Sequence, residues 1–567
     1  MYVLLFGLAA AINVVLGLHD WPGVLAGSLN DPDSYMRLLR IEQGIRAGHL
    51  LTHVARDDSG AGVMVEWSRL LDMLLWIMAA PMAVFLGWHK ALFVAGVALG
   101  PLAVGALGAV SAWVVEPFVA RRHLWTAALA AGVLPGVFSI ALPGVVHYHV
   151  LLLVLIVATL GLLARAWPGA AGYGFLAGMC GGFAIWLTPE TMPFILMGFA
   201  ALLIRWWRAR LGQVMTYCAA GFFDVLGFAL VIDPPEGGYG VAEIDRLSLV
   251  YVVLALLLLI GSAALWRLEK QGGKWWRPAG LALMVGLVLG WVVAFPQVAM
   301  GPYGVMPPEE RRKFLGVITE QQPLHGWDLL VFLAPGVMAL GYALWRALAP
   351  RGRWLFLYLA ACIGVALVLG AKFILFAGFS TCAAVVLLPL AVGEAGLRCA
   401  DKPNLAALAR AAVVLAVLGA PMLAAQAGAA AKPVGGGVVY PSCDLREIAP
   451  LLAPAGRQVV LATADDTPEL LYRTQVETVG SLYMHGVPGF LRLRAAWRAV
   501  PGVRVPAAIT AAGIRYVLFC PRAGRYLLVA DLPPDTLWDA LEANAPPPWV
   551  RRVGSNAEGW RLYKVTP

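Results

Sequence analysis

The chain has 567 residues, of which 60% are hydrophobic and 13% charged, with a mean hydropathy of +0.76 and a formal net charge of +9. Water-soluble domains carry about 45–50% apolar and roughly 25% charged residues, so this composition excludes a soluble protein and implies a polytopic α-helical membrane protein. The positive balance is then a question of which loops hold the basic residues, not a sign of nucleic-acid binding.

A hydrocarbon core takes about 20 apolar residues per helix. Runs of that kind lie at 1–18, 91–115, 124–142, 148–165, 171–187, 191–205, 213–232, 246–266, 278–298, 327–345, 354–370, 372–391 and 405–428, which predicts thirteen spans. The first has no basic segment before it and no small-residue cleavage site after it, so it reads as a retained anchor. A further apolar run, 70–86, contains Pro81 and is flanked by Arg69, Asp72 and Lys90. It is expected to lie along, or dip into, the interface. The basic residues support this count. With thirteen spans, Arg121, Arg122, Arg165, the groups at 205–210 and 267–277, Arg346, Arg351, Arg353, Arg398, Lys402 and Arg410 share one side, as expected for cytoplasmic loops. A crossing at 70–86 would invert every later loop. The odd count puts the N-terminus inside and the C-terminus outside.

Beyond about 430, "AQAGAAAKPVGGG" reads as a linker to a more polar tail, 440–567. There, strand-like "RQVVLAT" and "IRYVLFC" alternate with helix-like "DLREIAPLLA", "VPGFLRLRAAW" and "DTLWDALEAN", predicting a small extracytoplasmic α/β domain. Of the seven cysteines, five fall in or beside spans as small packing residues. Cys443 and Cys520 lie in the exported tail, where a disulfide is permitted.

Three external segments hold most of the unusual polar residues. In the long first loop, 19–90, Asp31 and Asp33 flank Pro32 in "SLNDPDSYMRLLR", before an amphipathic helix carrying Arg37 and Arg40. Either acid could simply cap that helix. In "PGVFSIALPGVVHYHVLLL", His147 and His149 stand two apart at the mouth of a span, a spacing open to metal ligation or proton handling. In the loop 299–326, Glu320 sits in "ITEQQP". Lys372, in "GAKFILFAGF", is a cation placed against the charge trend at the outer end of a span; it suits an anionic ligand such as a lipid phosphate, or simply snorkels. Glu190, in "WLTPETMP", is an acid at an outer mouth.

Together these segments resemble the catalytic subunit of oligosaccharyltransferases and, more broadly, GT-C glycosyltransferases. "NDPDSYMR" resembles the family's first acidic motif, with Asp31 at its metal-binding position. "PGVFSIALPGVVHYH" resembles a segment that ends in two acids one residue apart; His147 and His149 replace them. "GVITEQQP" resembles the external-loop motif, with Glu320 as its glutamate, and "KFILFA" an Arg-Phe start of a late span, with Lys372 replacing Arg. The family's WWD acceptor motif is absent, so Asn-sequon recognition has no support. "DPDSYMRL", "EWSRLLD" and "PELLYRT" are also similar to patterns in bacterial GT-C-like membrane proteins.

The resemblance implies transfer of a sugar, with inversion, from a polyprenyl-phosphate-linked donor to an acceptor on the periplasmic face of a bacterial inner membrane. The acceptor class (protein, lipid or polysaccharide) stays open. It implies Asp31 as metal ligand or base, Asp33 as a second carboxylate and Glu320 as the group that orients or deprotonates the acceptor. His147 and His149 become metal ligands, a base or sugar-hydroxyl partners. Lys372, Arg37 and Arg40 are expected at the donor phosphate, and the cofactor is expected to be a divalent cation, manganese or magnesium. The alternative is a non-catalytic transporter, a lipid-linked-saccharide flippase or an export component; the absence of visible repeats and the outer placement of the polar residues count against it.

Overall fold

The structure, a computed structural model, describes residues 1–350, 352–431, 441–522 and 534–566. Arg351 of the predicted cytoplasmic group and residues 432–437 of the predicted linker lie outside the described residues.

Helix α1 (Tyr2–Leu16) is followed by a short α2 (Trp21–Leu25), the amphipathic α3 (Pro32–Ala47), a two-stranded ribbon (β1, His53–Val54; β2, Val63–Met64) and α4 (Leu70–Leu86). Then come α5 (Trp88–Val115), α6 (Trp125–Val133), the single turn α7 (Pro135–Phe138), α8 (His149–Ala166), α9 (Ala171–Leu187), α10 (Met192–Ala209), α11 (Gly212–Ile232), α12 (Leu249–Gln271) and α13 (Trp276–Ala294). A long loop carrying α14 (Pro308–Leu315) leads to α15 (Trp327–Leu348), α16 (Arg353–Lys372), α17 (Ala377–Arg398) and α18 (Pro403–Ala431). Every predicted span contains helix. Among the described residues, eleven helices are long and apolar enough to cross a membrane, so the chain is a multi-pass membrane protein.

Two predicted spans are shorter than expected. Helix α9 has 17 residues, and the run 124–142 breaks after the nine residues of α6. Pro135 is the cause: it removes a backbone donor and holds Leu134 extended, at φ −66° and ψ 129°. The non-helical stretch that follows is buried against protein, as irregular backbone at this depth must be. A Cβ on Gly100 of α5 would lie 2.5 Å from the Ala141 carbonyl oxygen, and one on Gly136 would lie 2.3 Å from Thr381 of α17. Glycine at both positions lets the loop press into the bundle.

Helix α4 behaves as a surface element. Asp72, in its first turn, pairs with Arg37 and Arg40 of α3; just past its other end, His89 bonds Glu42 of the same helix. A 17-residue helix is about 25 Å long, and with both ends returning to α3 it does not traverse the bundle.

The tail forms a five-stranded mixed sheet, β4-β3-β5-β7-β6, from β3 (Val459–Leu461), β4 (Glu477–Thr478), β5 (Tyr516–Phe519), β6 (Val550–Ser555) and β7 (Arg561–Val565). Helices α19 (Ile448–Leu452), α20 (Asp466–Arg473), α21 (Val487–Trp497), α22 (Ala507–Ala511) and α23 (Leu537–Glu542) accompany it. Cys443 and Cys520 are joined by a disulfide. The core of this domain is shared with the helical half. Phe314, 1% exposed, leaves α14 to pack its ring 5.9 Å from that of Phe490, and Val317 joins the same cluster. From the first loop, Arg56 donates to the carbonyls of Leu471, Thr474 and Val476, and Asp57 accepts from Thr478 and Ser481.

Candidate functional site

The site is assembled where three distant segments meet at the face that carries the tail domain. Asp31 is the N-cap of α3, accepting from the Ser34 amide at 2.8 Å and the Ser34 hydroxyl at 2.5 Å, with Pro32 at the first helical position. Ser34 Oγ in turn accepts from the Val146 amide at 2.7 Å, and Asn30 donates to the carbonyls of Pro143 and Gly144. These bonds dock the loop after α7 against the start of α3, which sets His147 beside Asp31. Its Nε2 lies 3.0 Å from Asp31 Oδ1 and 3.9 Å from Asp33 Oδ2.

The other ring nitrogen of His147 faces the third segment. Nδ1 is 3.1 Å from Nδ1 of His149, the first residue of α8, and 4.0 Å from Glu320 Oε1. The loop bearing Glu320 is folded by Gln322, whose amide donates to the Leu315 and Ile318 carbonyls, and is tied to the end of α16 by Leu324 N to Ala371 O at 3.1 Å. Gln322, two residues after the glutamate, therefore holds its position.

Burial and mutual charge decide protonation here. Burial alone would depress the His147 imidazole, but Asp31, Asp33 and Glu320 outweigh it and push it up to about 9. Burial works to raise Asp31, yet His147 and the Ser34 hydrogen bonds hold it below the usual carboxylate range. Asp33 is raised, first by burial and then by Asp31, and burial takes Glu320 up to about 7. Without a further cation, a protonated His147 sits between Asp31 and His149, donating to each.

The same atoms fit a metal ion. His147, His149 and Glu320 each offer a donor atom, all within 4.8 Å of one another, and two imidazoles with one carboxylate are a recognised transition-metal set. Asp31 then holds the opposite nitrogen of His147, the outer carboxylate that fixes tautomer and ring orientation in such sites. That placement differs from the expectation of Asp31 as a direct ligand: with its oxygens engaged by Ser34 and His147, it stands behind the imidazole.

A cavity of about 790 Å³ opens in front of this cluster; its lining combines the polar Asp33, His147, His149, Glu190 and Glu320 with the apolar Leu187, Met192, Leu196, Val298, Phe373 and Phe376. The predicted phosphate ligands fare unevenly. Arg37 lines the cavity but is 2% exposed and paired with Asp72 at 3.1 Å. Arg40 is a correction: its guanidinium is bound by Asp72 and the carbonyls of Trp67 and Ser68, and no face of it reaches the cavity. Lys372 is exposed at the end of α16, and its neighbour Phe373 contributes to the cavity wall in its place. Glu190 faces the cavity with Oε2 unpartnered among the described residues.

Sequence reasoning missed several wall residues. Glu66, which burial pushes up to about 7, lies in the "EWSR" stretch that follows the ribbon. Arg311 comes from α14 and Asp245 from the loop before α12, and Tyr483 comes from the tail, donating from its hydroxyl to Asp33 at 3.0 Å. The mixed polarity of "EWSR" was a usable signal; nothing local marks Tyr483.

No family model and no curated protein matches the chain. Among solved structures it resembles the archaeal oligosaccharyltransferase AglB from Archaeoglobus fulgidus in complex with an inhibitory peptide and a dolichol-phosphate, with a TM-score of 0.71 at 14% identity over 91% of this chain and 69% of that one. The A. fulgidus oligosaccharyltransferase in the apo form gives 0.64 at 17% identity over 92% and 69% of the two chains. Its complex with Zn and sulfate gives 0.62 at 15% identity over 91% and 67%. This chain therefore shares the fold of these oligosaccharyltransferase structures.

Proposed function

We propose that the protein is a membrane glycosyltransferase that moves a sugar from a polyprenyl-phosphate-linked donor to an acceptor at the tail-bearing face. One observation carries this reading: a cluster of two imidazoles and three carboxylates meets a cavity whose lining is otherwise largely apolar, within a fold whose solved examples were captured with dolichol-phosphate, a peptide, and zinc with sulfate. A prenyl-linked sugar is amphiphilic, and such a lining offers surface to both of its parts.

The donor already holds an activated leaving group, so the chain has to orient the acceptor, take its proton and neutralise the departing phosphate. Glu320 and Asp33 face the cavity and are half-exposed, with 43% and 40% of their side chains accessible. Both carboxyls are raised, Glu320 to about 7; with Glu320 committed to a cation, Asp33 is left to accept the proton. Inversion follows when the acceptor attacks the anomeric carbon opposite the phosphate. Arg311, on the cavity wall, suits the phosphate end, whereas Arg37 is held by Asp72. A divalent cation bound by His147, His149 and Glu320 would supply further positive charge to that phosphate. The donor set favours manganese or zinc over magnesium.

The loops rich in Arg and Lys lie at the opposite helix ends, where Arg205 covers Trp167, Arg208 covers Trp354 and Arg398 covers Trp345. This supports a cytoplasmic assignment for that face and a periplasmic site in a bacterial inner membrane. The test is purified protein incubated with polyprenyl-phosphate sugars radiolabelled in the sugar. Label should pass to an acceptor, cease after EDTA and return with manganese or zinc. Label that crosses vesicles unchanged would establish transport instead, and label released only into water a hydrolase.

A further inference from the structure

We propose that Tyr483, from the tail domain, is a positioning residue for Asp33, so that the C-terminal domain completes the transfer site; this rests on the glycosyltransferase reading above. Asp33 occupies the first turn of α3, where a short carboxylate ordinarily folds back onto free backbone amides. Here Asp31 already takes the Ser34 amide, and the Tyr483 hydroxyl donates to Asp33 Oδ1 at 3.0 Å. A phenol facing a carboxylate can only donate. That bond fixes one oxygen of Asp33 and leaves the other, Oδ2, directed to the His147 side at 3.9 Å, where an acceptor proton would be received.

Tyr483 is itself held firmly. It is 3% exposed, and its ring stands edge-on to Trp67 with centroids 5.2 Å apart. Trp67 lies beneath the Arg37 guanidinium at 4.2 Å, which Asp72 secures. The segment around it is fastened to the helical half on both sides: Thr478 and Ser481 donate to Asp57, and His485 bonds Asp245 at 2.8 Å. Within the segment, the Gly486 amide closes onto the Tyr483 carbonyl at 2.8 Å. These contacts aim one hydroxyl, from a residue 450 positions away, at one carboxylate.

The experiment compares wild type, Tyr483→Phe, Asp33→Asn and the double variant with polyprenyl-phosphate sugars radiolabelled in the sugar. Removing a hydrogen bond to a charged group should lower kcat roughly ten- to a hundredfold in Tyr483→Phe. The donor KM should stay within about twofold and the melting temperature should fall by no more than a few degrees, since the ring and its packing remain. The double variant should be no slower than Asp33→Asn alone, because both changes remove one unit. The inference is overturned by an unaltered kcat, by losses that multiply in the double variant, by a change confined to KM, or by activity lost in step with melting. A wild-type protein that transfers no label brings down the glycosyltransferase reading as well, which separates the two failures.

Discussion

Two charged layers lie next to each other in this molecule and are built on opposite principles. In the layer beneath the site, Asp72 binds both Arg37 and Arg40, while Asp233 binds Arg69, Arg246 and the Trp186 indole; these carboxylates are 2% and 1% exposed. Each carboxylate there is saturated by donors. In the site itself the count is reversed: Asp31, Asp33 and Glu320 converge on one imidazole, and two of them face open cavity. Saturation makes a rigid floor, and the shortage of donors above it leaves charge to be satisfied by a ligand. Charge density alone does not distinguish structure from chemistry in such a bundle; the ratio of donors to acceptors does.

The comparison breaks first at Asp72. Replacing it with Ala strands Arg37 and Arg40 without their carboxylate, and removing one partner of a buried pair costs about 3–5 kcal/mol. A large fall in melting temperature and yield in detergent is expected, and a protein of normal stability would refute the structural role of the floor. Glu320→Gln should do the reverse. Sugar transfer should fall roughly 10²- to 10⁴-fold, with the melting curve left in place. An active Glu320→Gln protein would remove the glutamate from the mechanism.

A subtler test uses pH. Burial raises Glu66 to about 7 from an ordinary 4.5, so the folded state binds this proton more tightly than the unfolded one. Its contribution to stability is then complete below about 4.5 and lost as pH rises through 7. Glu66→Gln should raise the melting temperature at pH 8 in EDTA and flatten its dependence between pH 5 and 8; an unchanged slope would show that Glu66 is solvated. The smallest effect is expected at Lys372. It is exposed and outside the cavity wall, so Lys372→Ala should raise the donor KM by no more than about fivefold, the ~1 kcal/mol ceiling of exposed charge pairs. A hundredfold rise would restore it as a phosphate ligand.

Much of the bundle was legible because bilayer thickness imposes a length on apolar runs, and the meeting of Asp31, His147 and Glu320 was legible through the resemblance of their three short motifs to those of one enzyme family. What escaped has physical causes. Hydropathy runs smoothly through 124–142 although Pro135 ends the helix, since apolarity does not report backbone geometry. Arg40 looked available because its partner Asp72 is 32 residues away in sequence. The tail read as an independent unit, yet it takes Phe314 into its core and lends Tyr483 to the site. Contacts of that reach have no local signature.

The early end of α6 leaves a shortfall in depth. Nine helical residues rise only about 14 Å, less than half a hydrocarbon core of about 30 Å. Six of the nine are buried among the neighbouring helices, so the shortfall is met by protein rather than by lipid, and the chain covers the remaining depth to His147 with α7 and irregular backbone.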